Sequence, residues 1–368
     1  MRVALVHDWL VTMRGAENVL SVLAELYPDA DLFTLVHKKG ALSPELEARN
    51  IRTSFLQRMP FGVSGYRRYL PLMPAAIESF DLRNYDLVIS SSYCVAKGVI
   101  TDPQSVHLSY VHTPMRYVWE QQHEYFGAGR AGFFTRLIAR LATSRLRAWD
   151  EGSARRVDRY FANSHHVARR VKKRYGAVAE VLHPPVDAAR FAIDPRGPGD
   201  YFLMVNGMAP YKRIDLGVEA FGRLGKKLVV IGGGMDEKRV RARAAAHVEF
   251  LGYVPSAALP NLYARARALI FPGEEDFGIV PLEAMASGRP VIAFGRGGAL
   301  ETVTAETGVF FQEQTVDGLC AAVTEFEARE REFQPEAIRR HALTFDRPGF
   351  KARLGAAIAA AYAELSRD

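Results

Sequence analysis

The chain has 368 residues, 48% apolar and 24% charged. That is ordinary globular usage, and it excludes disorder, collagen or coiled coil as a description of the whole. Two cysteines, Cys94 and Cys320, exclude a disulfide framework and show no metal spacing, which fits a reducing compartment. The net charge of +7 lies in the first half: residues 1–187 carry 25 basic against 18 acidic side chains, and residues 130–174 carry 13 against 3.

In chain order, the run Val3–Val6 is broken at once by His7 and Asp8, so it reads as a strand rather than a leader segment. Further runs follow at Leu32–Val36, Leu87–Ser90, His107–Val111 and Tyr160–Ala162, then at Tyr201–Val205, Leu228–Ile231, Val248–Leu251, Ala268–Phe271 and Pro290–Phe294. Helix-length segments separate them. Apolar runs without polar alternation predict parallel strands buried on both faces. The fold class is therefore α/β, with two Rossmann-like doubly wound domains that would leave a cleft at their strand ends. Prolines and glycines from His183 to Gly199 place a domain boundary after residue 187. No stretch reaches the roughly 18 apolar residues of a spanning helix.

Several strand ends carry candidate chemistry. Arg14-Gly15-Ala16-Glu17 is a glycine turn at a helix start. His112 ends a buried strand, where a cleft role and a structural role are both open. Asn163-Ser164 reads as a helix cap. In Asn206-Gly207-Met208-Ala209-Pro210-Tyr211-Lys212-Arg213, two cations stand near a helix start, against its dipole, and a bound anion relieves that cost. Gly232-Gly233-Gly234 is not a dinucleotide fingerprint. Phe271-Pro272-Gly273-Glu274-Glu275-Asp276-Phe277-Gly278-Ile279-Val280-Pro281-Leu282-Glu283 reads as strand, loop and helix. The N–H groups of that helix's first turn make an anion site, with Glu275 before it and Glu283 just after. A diphosphate there leaves one carboxylate for hydroxyls on each side. His165 and His166 are adjacent and face different sides of a helix, so no metal is expected.

Assembled, these segments resemble the family-4 glycosyltransferases of the GT-B fold. The resemblance runs over nearly the whole chain and is most specific in Glu275-x7-Glu283, Pro210–Asp215, Asn163-Ser164 and Gly297-Gly298-x-x-Glu301. The first half, from Tyr69–Pro74 to His112–Tyr117, is similar to a subgroup of bacterial surface-polysaccharide assembly, several of whose members use GDP-mannose. Asp29-Ala30-Asp31 matches the D-x-D of metal-dependent sugar transferases of another fold, but it precedes a strand and reads as a loop.

The resemblance implies a retaining, metal-independent hexosyl transfer without a cofactor, from a nucleotide-diphosphate sugar to a lipid-linked or oligosaccharide acceptor. It places the donor in the C-terminal domain, residues 188–346, and the acceptor in the N-terminal one, residues 1–187, with a last helix from about 347 crossing back to the first domain. By that pattern Glu283 binds the ribose and Glu275 the donor sugar, close to the backbone of Phe277, Gly278 and Ile279. Lys212 neutralises the diphosphate, Gly15 and Gly207 line it, and His112 touches the sugar. The family's usual arginine, about five residues before the lysine, is replaced here by Asn206 and Gly207. That leaves the phosphate clamp to Lys212 with Arg213, or to Arg14, Arg296 or Arg116. A UDP-sugar donor, a nucleotide-sugar 2-epimerase and a non-catalytic binding module are the alternatives.

Phe133, Phe134, Leu137, Ile138 and Leu141 recur at helical spacing, with Arg136, Arg140 and Arg147 on another side. Such an amphipathic basic helix predicts peripheral attachment to the anionic inner face of the cytoplasmic membrane. Packing on its own domain is the competing reading. No RNA-binding motif accompanies the charge, so nucleic acid is not an expected partner.

Overall fold

The computed structural model describes residues 1–119, 133–234 and 236–367, with the side chains of residues 117 and 133–142 outside that description. It divides into two compact units, Met1–Pro184 with Phe350–Asp368, and Pro185–Gly349. Both divisions fall three residues from the expected 187/188 and 346/347 limits.

The first unit is built on a seven-stranded parallel sheet. Its strands are β1 (Val3–His7), β2 (Asp31–Thr34), β3 (Ile51–Thr53), β4 (Leu87–Ser92), β5 (Val106–Val111), β6 (Arg159–Ala162) and β7 (Ala179–Val181). Their order is β3-β2-β1-β4-β5-β6-β7. Every residue of β1, β4 and β5 is buried, as sheets covered on both faces require. Helix α1 (Gly15–Leu26) lays Val19, Leu20, Val22 and Leu23 on this sheet. Helix α2 (Phe133–Ser153) and helix α3 (His165–Tyr175) follow β5 and β6. Ser164 caps α3, its Oγ accepting the Val167 N–H at 3.0 Å. The last helix of the chain, Arg347–Leu365, buries Phe350, Leu354 and Ile358 in this unit's core and pairs Lys351 with Glu25 at 3.0 Å.

The second unit has six parallel strands: β8 (Phe202–Val205), β9 (Leu228–Ile231), β10 (Val248–Gly252), β11 (Leu269–Phe271), β12 (Val291–Phe294) and β13 (Gly308–Phe311). Their order is β10-β9-β8-β11-β12-β13. In each sheet the order reverses once, between β1 and β4 and between β8 and β11. Ligands of doubly wound folds bind at the carboxyl ends of strands beside that reversal.

Three strands escape the apolar-run criterion. Both β3 and β7 are three-residue edge strands centred on Arg52 and Glu180, and each alternates a half-buried with an exposed residue. An edge strand has one neighbour and no need of a continuous apolar stretch. The third, β13, opens on Gly308, where a Cβ would stand 2.1 Å from the Val291 carbonyl oxygen. A glycine forced by close approach to β12 reads in sequence as a turn.

Burial also sets a pH dependence. His107 lies within the first core, its Nδ1 3.0 Å from the Arg156 carbonyl and its Nε2 3.0 Å from Ser90 Oγ. Burial pulls its imidazole down from 6.5 to about 4. The unfolded chain therefore binds the extra proton first, and stability present above the unfolded value is lost as pH falls toward 4. The full effect is on the order of 3 kcal/mol. Urea titrations between pH 7 and 4 are expected to show a shallower pH slope for His107→Gln than for the parent; equal slopes would show that His107 does not carry it.

Candidate active site

The loops leaving β8, β11 and β12 pack against one another at the reversal of the second sheet. After β8 the chain makes a 3-10 turn, Pro210–Lys212, and Arg213 takes a left-handed conformation at φ 52° to open helix α4 (Ile214–Leu224). After β11 the loop runs to Gly278, whose φ of 85° starts helix α5 (Ile279–Ala286). After β12, Gly298 donates its N–H to the Glu275 carbonyl at 2.8 Å. A Cβ on Gly298 would lie 2.2 Å from Phe277 Cα, so only glycine allows the two loops to meet.

This packing brings Lys212 and Glu275, from loops 63 residues apart, into a direct ion pair between Nζ and Oε2, with side-chain exposures of 15% and 14%. The other carboxylate oxygen of Glu275 is buried and makes no hydrogen bond among the described residues. Buried carboxylate oxygens ordinarily find donors, so Glu275 presents unused acceptor capacity beside a cation. A ligand carrying a phosphate next to hydroxyls meets both needs.

Glu283 stands in the first turns of α5. Its Oε2 accepts the hydroxyl of Tyr263, which is fully buried, at 2.7 Å. Burial pushes the Glu283 carboxyl up, while the Tyr263 hydrogen bond and the charge of Arg190 hold it down. Tyr263 comes from the short helix Leu259–Ala264. In sequence it is indistinguishable from a core aromatic.

Phe277 is 3% exposed and turns its ring into the core toward Phe345, so only its backbone is available to a ligand. Gly278 and Ile279 form the start of α5, and Gly207 lies in the loop after β8. Arg213 is engaged elsewhere: its Nη1 donates to Gln314 Oε1 at 2.9 Å and its Nε to Asp215 at 3.4 Å. Gln314 in turn donates to the Pro272 carbonyl at 2.8 Å. Arg213 thus ties the β8 and β11 loops together, a role its sequence position beside Lys212 did not suggest.

In the first unit, Gly15 is the first residue of α1, and His112 follows β5. His112 Nε2 lies 2.8 Å from Ser91 Oγ, and Asn163 donates from Nδ2 to the His112 carbonyl at 2.9 Å. The side chains of Phe133, Phe134, Arg136, Leu137, Ile138, Arg140 and Leu141, which carry the amphipathic reading of α2, lie outside the described residues. Its described end packs inward: Leu146 is buried, Arg147 donates to the Val118 carbonyl at 2.6 Å and Trp149 to Glu78 at 2.8 Å. Among the described residues no helix is long and apolar enough to cross a membrane.

Two family models match this chain, Glycosyltransferase Family 4 over residues 13–190 and Glycosyl transferases group 1 over residues 186–342. The chain belongs to the family-4 glycosyltransferases, of the GT-B fold. Among curated members it is 33% identical, over 185 residues, to the GDP-mannose-dependent alpha-(1-6)-phosphatidylinositol monomannoside mannosyltransferase of Mycolicibacterium smegmatis, covering 42% of this chain and 48% of that one. It is 29% identical over 217 residues to the alpha-1,3/1,6-mannosyltransferase alg-2 of Neurospora crassa, covering 44% and 46%. The chain thus spans about half the length of these relatives. Among solved glycosyltransferase structures, sucrose-phosphate synthase of Thermosynechococcus elongatus superposes at TM-score 0.74, with 18% identity over 99% of this chain and all of that one. Anabaena HepE, solved with UDP and glucose, superposes at 0.70 with 17% identity over 97% and 99%. At such identities the likeness concerns the fold alone.

Proposed function

We propose that this family-4 chain is a retaining, metal-independent glycosyltransferase that moves a hexose, mannose from GDP-mannose, onto a glycan or lipid-linked acceptor. The observation that carries the reading is the Lys212–Glu275 pair at the sheet reversal, set before the N-terminus of α5, with Glu283 in the same helix. The mannosyltransferases at 33% and 29% identity support mannose as the sugar and GDP as the carrier.

The chemistry follows from charge. As the bond between the sugar's anomeric carbon and the phosphate oxygen breaks, its electron pair stays on the diphosphate and positive charge grows on the sugar. Lys212 and the α5 N–H groups stabilise the first. Glu275 accepts sugar hydroxyls, and Glu283 the ribose hydroxyls. The acceptor oxygen attacks from the face the diphosphate leaves, and its proton passes to a departing phosphate oxygen.

Calorimetric titration with GDP, GDP-mannose, UDP and UDP-glucose tests the reading. GDP and GDP-mannose are expected to bind, and GDP affinity should fall about ten- to a hundred-fold in Glu283→Ala, the worth of one charged hydrogen bond. Binding of UDP ligands alone would reassign the donor. Binding of none, or unchanged affinity in Glu283→Ala, removes the ribose site. Conversion of the donor sugar without any acceptor would point to an epimerase.

The acceptor's place at an anionic cytoplasmic leaflet belongs to the same reading. Phe61, 70% exposed, is accompanied by exposed Arg58, Arg67 and Arg68 on the segment after β3. Co-sedimentation with anionic but not neutral vesicles, lost in high salt, is the expected result; no binding at low salt would exclude it.

A further inference from the structure

Helix α5 fixes the main chain of Glu283: the Ser287 N–H and Oγ reach its carbonyl at 3.2 and 3.1 Å. The helix does not fix the rotation of the side chain. That is done from outside, by Tyr263, whose hydroxyl donates to Oε2 at 2.7 Å. Tyr263 is fully buried on the short helix Leu259–Ala264, and its ring meets the Phe191 ring edge-on with centroids 5.7 Å apart. Packing of this kind leaves the hydroxyl one position. Phenylalanine would fill the same volume, so what the hydroxyl adds is a donor aimed at one oxygen of one carboxylate.

The pair has a single sense. Burial and the charge of Glu283 push the Tyr263 phenol well above 10, so it keeps its proton throughout the neutral range. An ionised carboxylate only accepts. Among the described residues no other hydrogen bond or ion pair engages the Glu283 carboxylate. With Oε2 held, the plane of the carboxylate is set, and Oε1 is the oxygen left to accept hydroxyls from a ligand. Burial pushes the carboxyl up, and two groups hold it down: the Tyr263 hydroxyl and the charge of Arg190, on the turn Ala188–Arg190. The Arg190 Nη2 donates to the Ser256 carbonyl at 2.8 Å, so Arg190 favours ionisation without setting an angle.

We propose that Tyr263 is a positioning residue for nucleotide binding: its hydroxyl turns the Glu283 carboxylate so that Oε1 receives the ribose hydroxyls of the ligand. The ribose rests on the proposed transferase reading; the hold of Tyr263 on Glu283 does not.

Tyr263→Phe tests this with two readouts. The first is the carboxyl itself. In carbon-13 spectra of glutamate-labelled protein, the Glu283 signal is identified by its loss in Glu283→Ala. Its titration midpoint should lie higher in Tyr263→Phe than in the parent, because burial remains and the hydrogen bond is gone. The second is calorimetric affinity for GDP, or for UDP if the parent takes that nucleotide, since the ribose is common to both. The dissociation constant should rise about threefold at pH 8 and about tenfold or more near pH 5.5, where more of the variant's Glu283 is protonated. Loss of packing alone would not widen as pH falls. In the Glu283→Ala background, Tyr263→Phe should change affinity by less than about twofold, because its effect passes through the carboxylate. Tyr263→Met lacks the same donor and serves should the phenylalanine variant fail to fold. An unmoved midpoint, or a loss of affinity independent of pH, overturns the proposal. If Glu283→Ala binds the nucleotide as tightly as the parent does, the ribose falls with the transferase reading, and the midpoint still decides whether Tyr263 governs Glu283.

Discussion

Replacing Lys212 with alanine is expected to lower donor turnover by about 10²-fold or more, the usual loss when one preformed stabiliser of transition-state charge is removed. Lys212 is a cation held 5.1 Å from the Tyr211 ring and in contact with Glu275, inside packed loops. In the proposed transfer it costs no reorganisation when negative charge grows on the leaving diphosphate. The substitution also strands a carboxylate whose other oxygen already makes no hydrogen bond among the described residues, so the thermal midpoint should be measured alongside the rate. Arg213→Ala should cost less rate, because that guanidinium is engaged by Gln314 and Asp215. Steady-state kinetics decide the matter. A loss below about threefold in Lys212→Ala would assign the phosphate to another cation.

The largest loss of stability is expected at Asp150. This residue and Lys97 are buried in the first unit, 0% and 1% exposed and 3.0 Å apart. Lys97 Nζ also donates to the Asp150 carbonyl at 2.7 Å and to Ser153 Oγ at 3.0 Å. The second carboxylate oxygen of Asp150 accepts from Trp119 at 2.7 Å and Tyr175 at 3.0 Å. Burial pulls the Lys97 ammonium down and Asp150 holds it up. Asp150→Ala removes the partner and leaves a buried cation and two orphaned donors. Breaking such a pair costs about 3–5 kcal/mol, which in a unit of this size lowers Tm by on the order of 10 °C. The pair itself adds little once both charges are gone, so Lys97→Met with Asp150→Asn, which keeps an acceptor for Trp119 and Tyr175, should regain more than half of the loss. Urea unfolding measures both. A cost below about 1 kcal/mol for Asp150→Ala would mean that water reaches Lys97 and replaces the carboxylate.

The amino-acid sequence by itself determined what short-range physics controls. Buried parallel strands need unbroken apolar runs, and ten of the thirteen strands among the described residues announce themselves that way. A helix that opens after a glycine beyond a strand is a local event, so α5 and the placing of Glu275 before it and Glu283 within it were legible from residues 271–283. Ser164 as a cap was legible for the same reason.

The tertiary structure decided what depends on register and loop packing. Lys212 and Glu275 meet only because β8 and β11 are neighbours at the sheet reversal. Tyr263 reaches Glu283, and Arg213 turns from its expected anion toward Gln314, through contacts 20 and 101 residues apart in sequence. His7 looked like the residue that ends a strand. Its approach to Ser91, and that of Ser91 to His112, exists only once β1, β4 and β5 lie in register. Apolar periodicity is written into neighbouring residues because each must be buried by its own element. A polar pairing across strands carries no such local signature, since either partner alone would be equally at home as a cap or a surface charge.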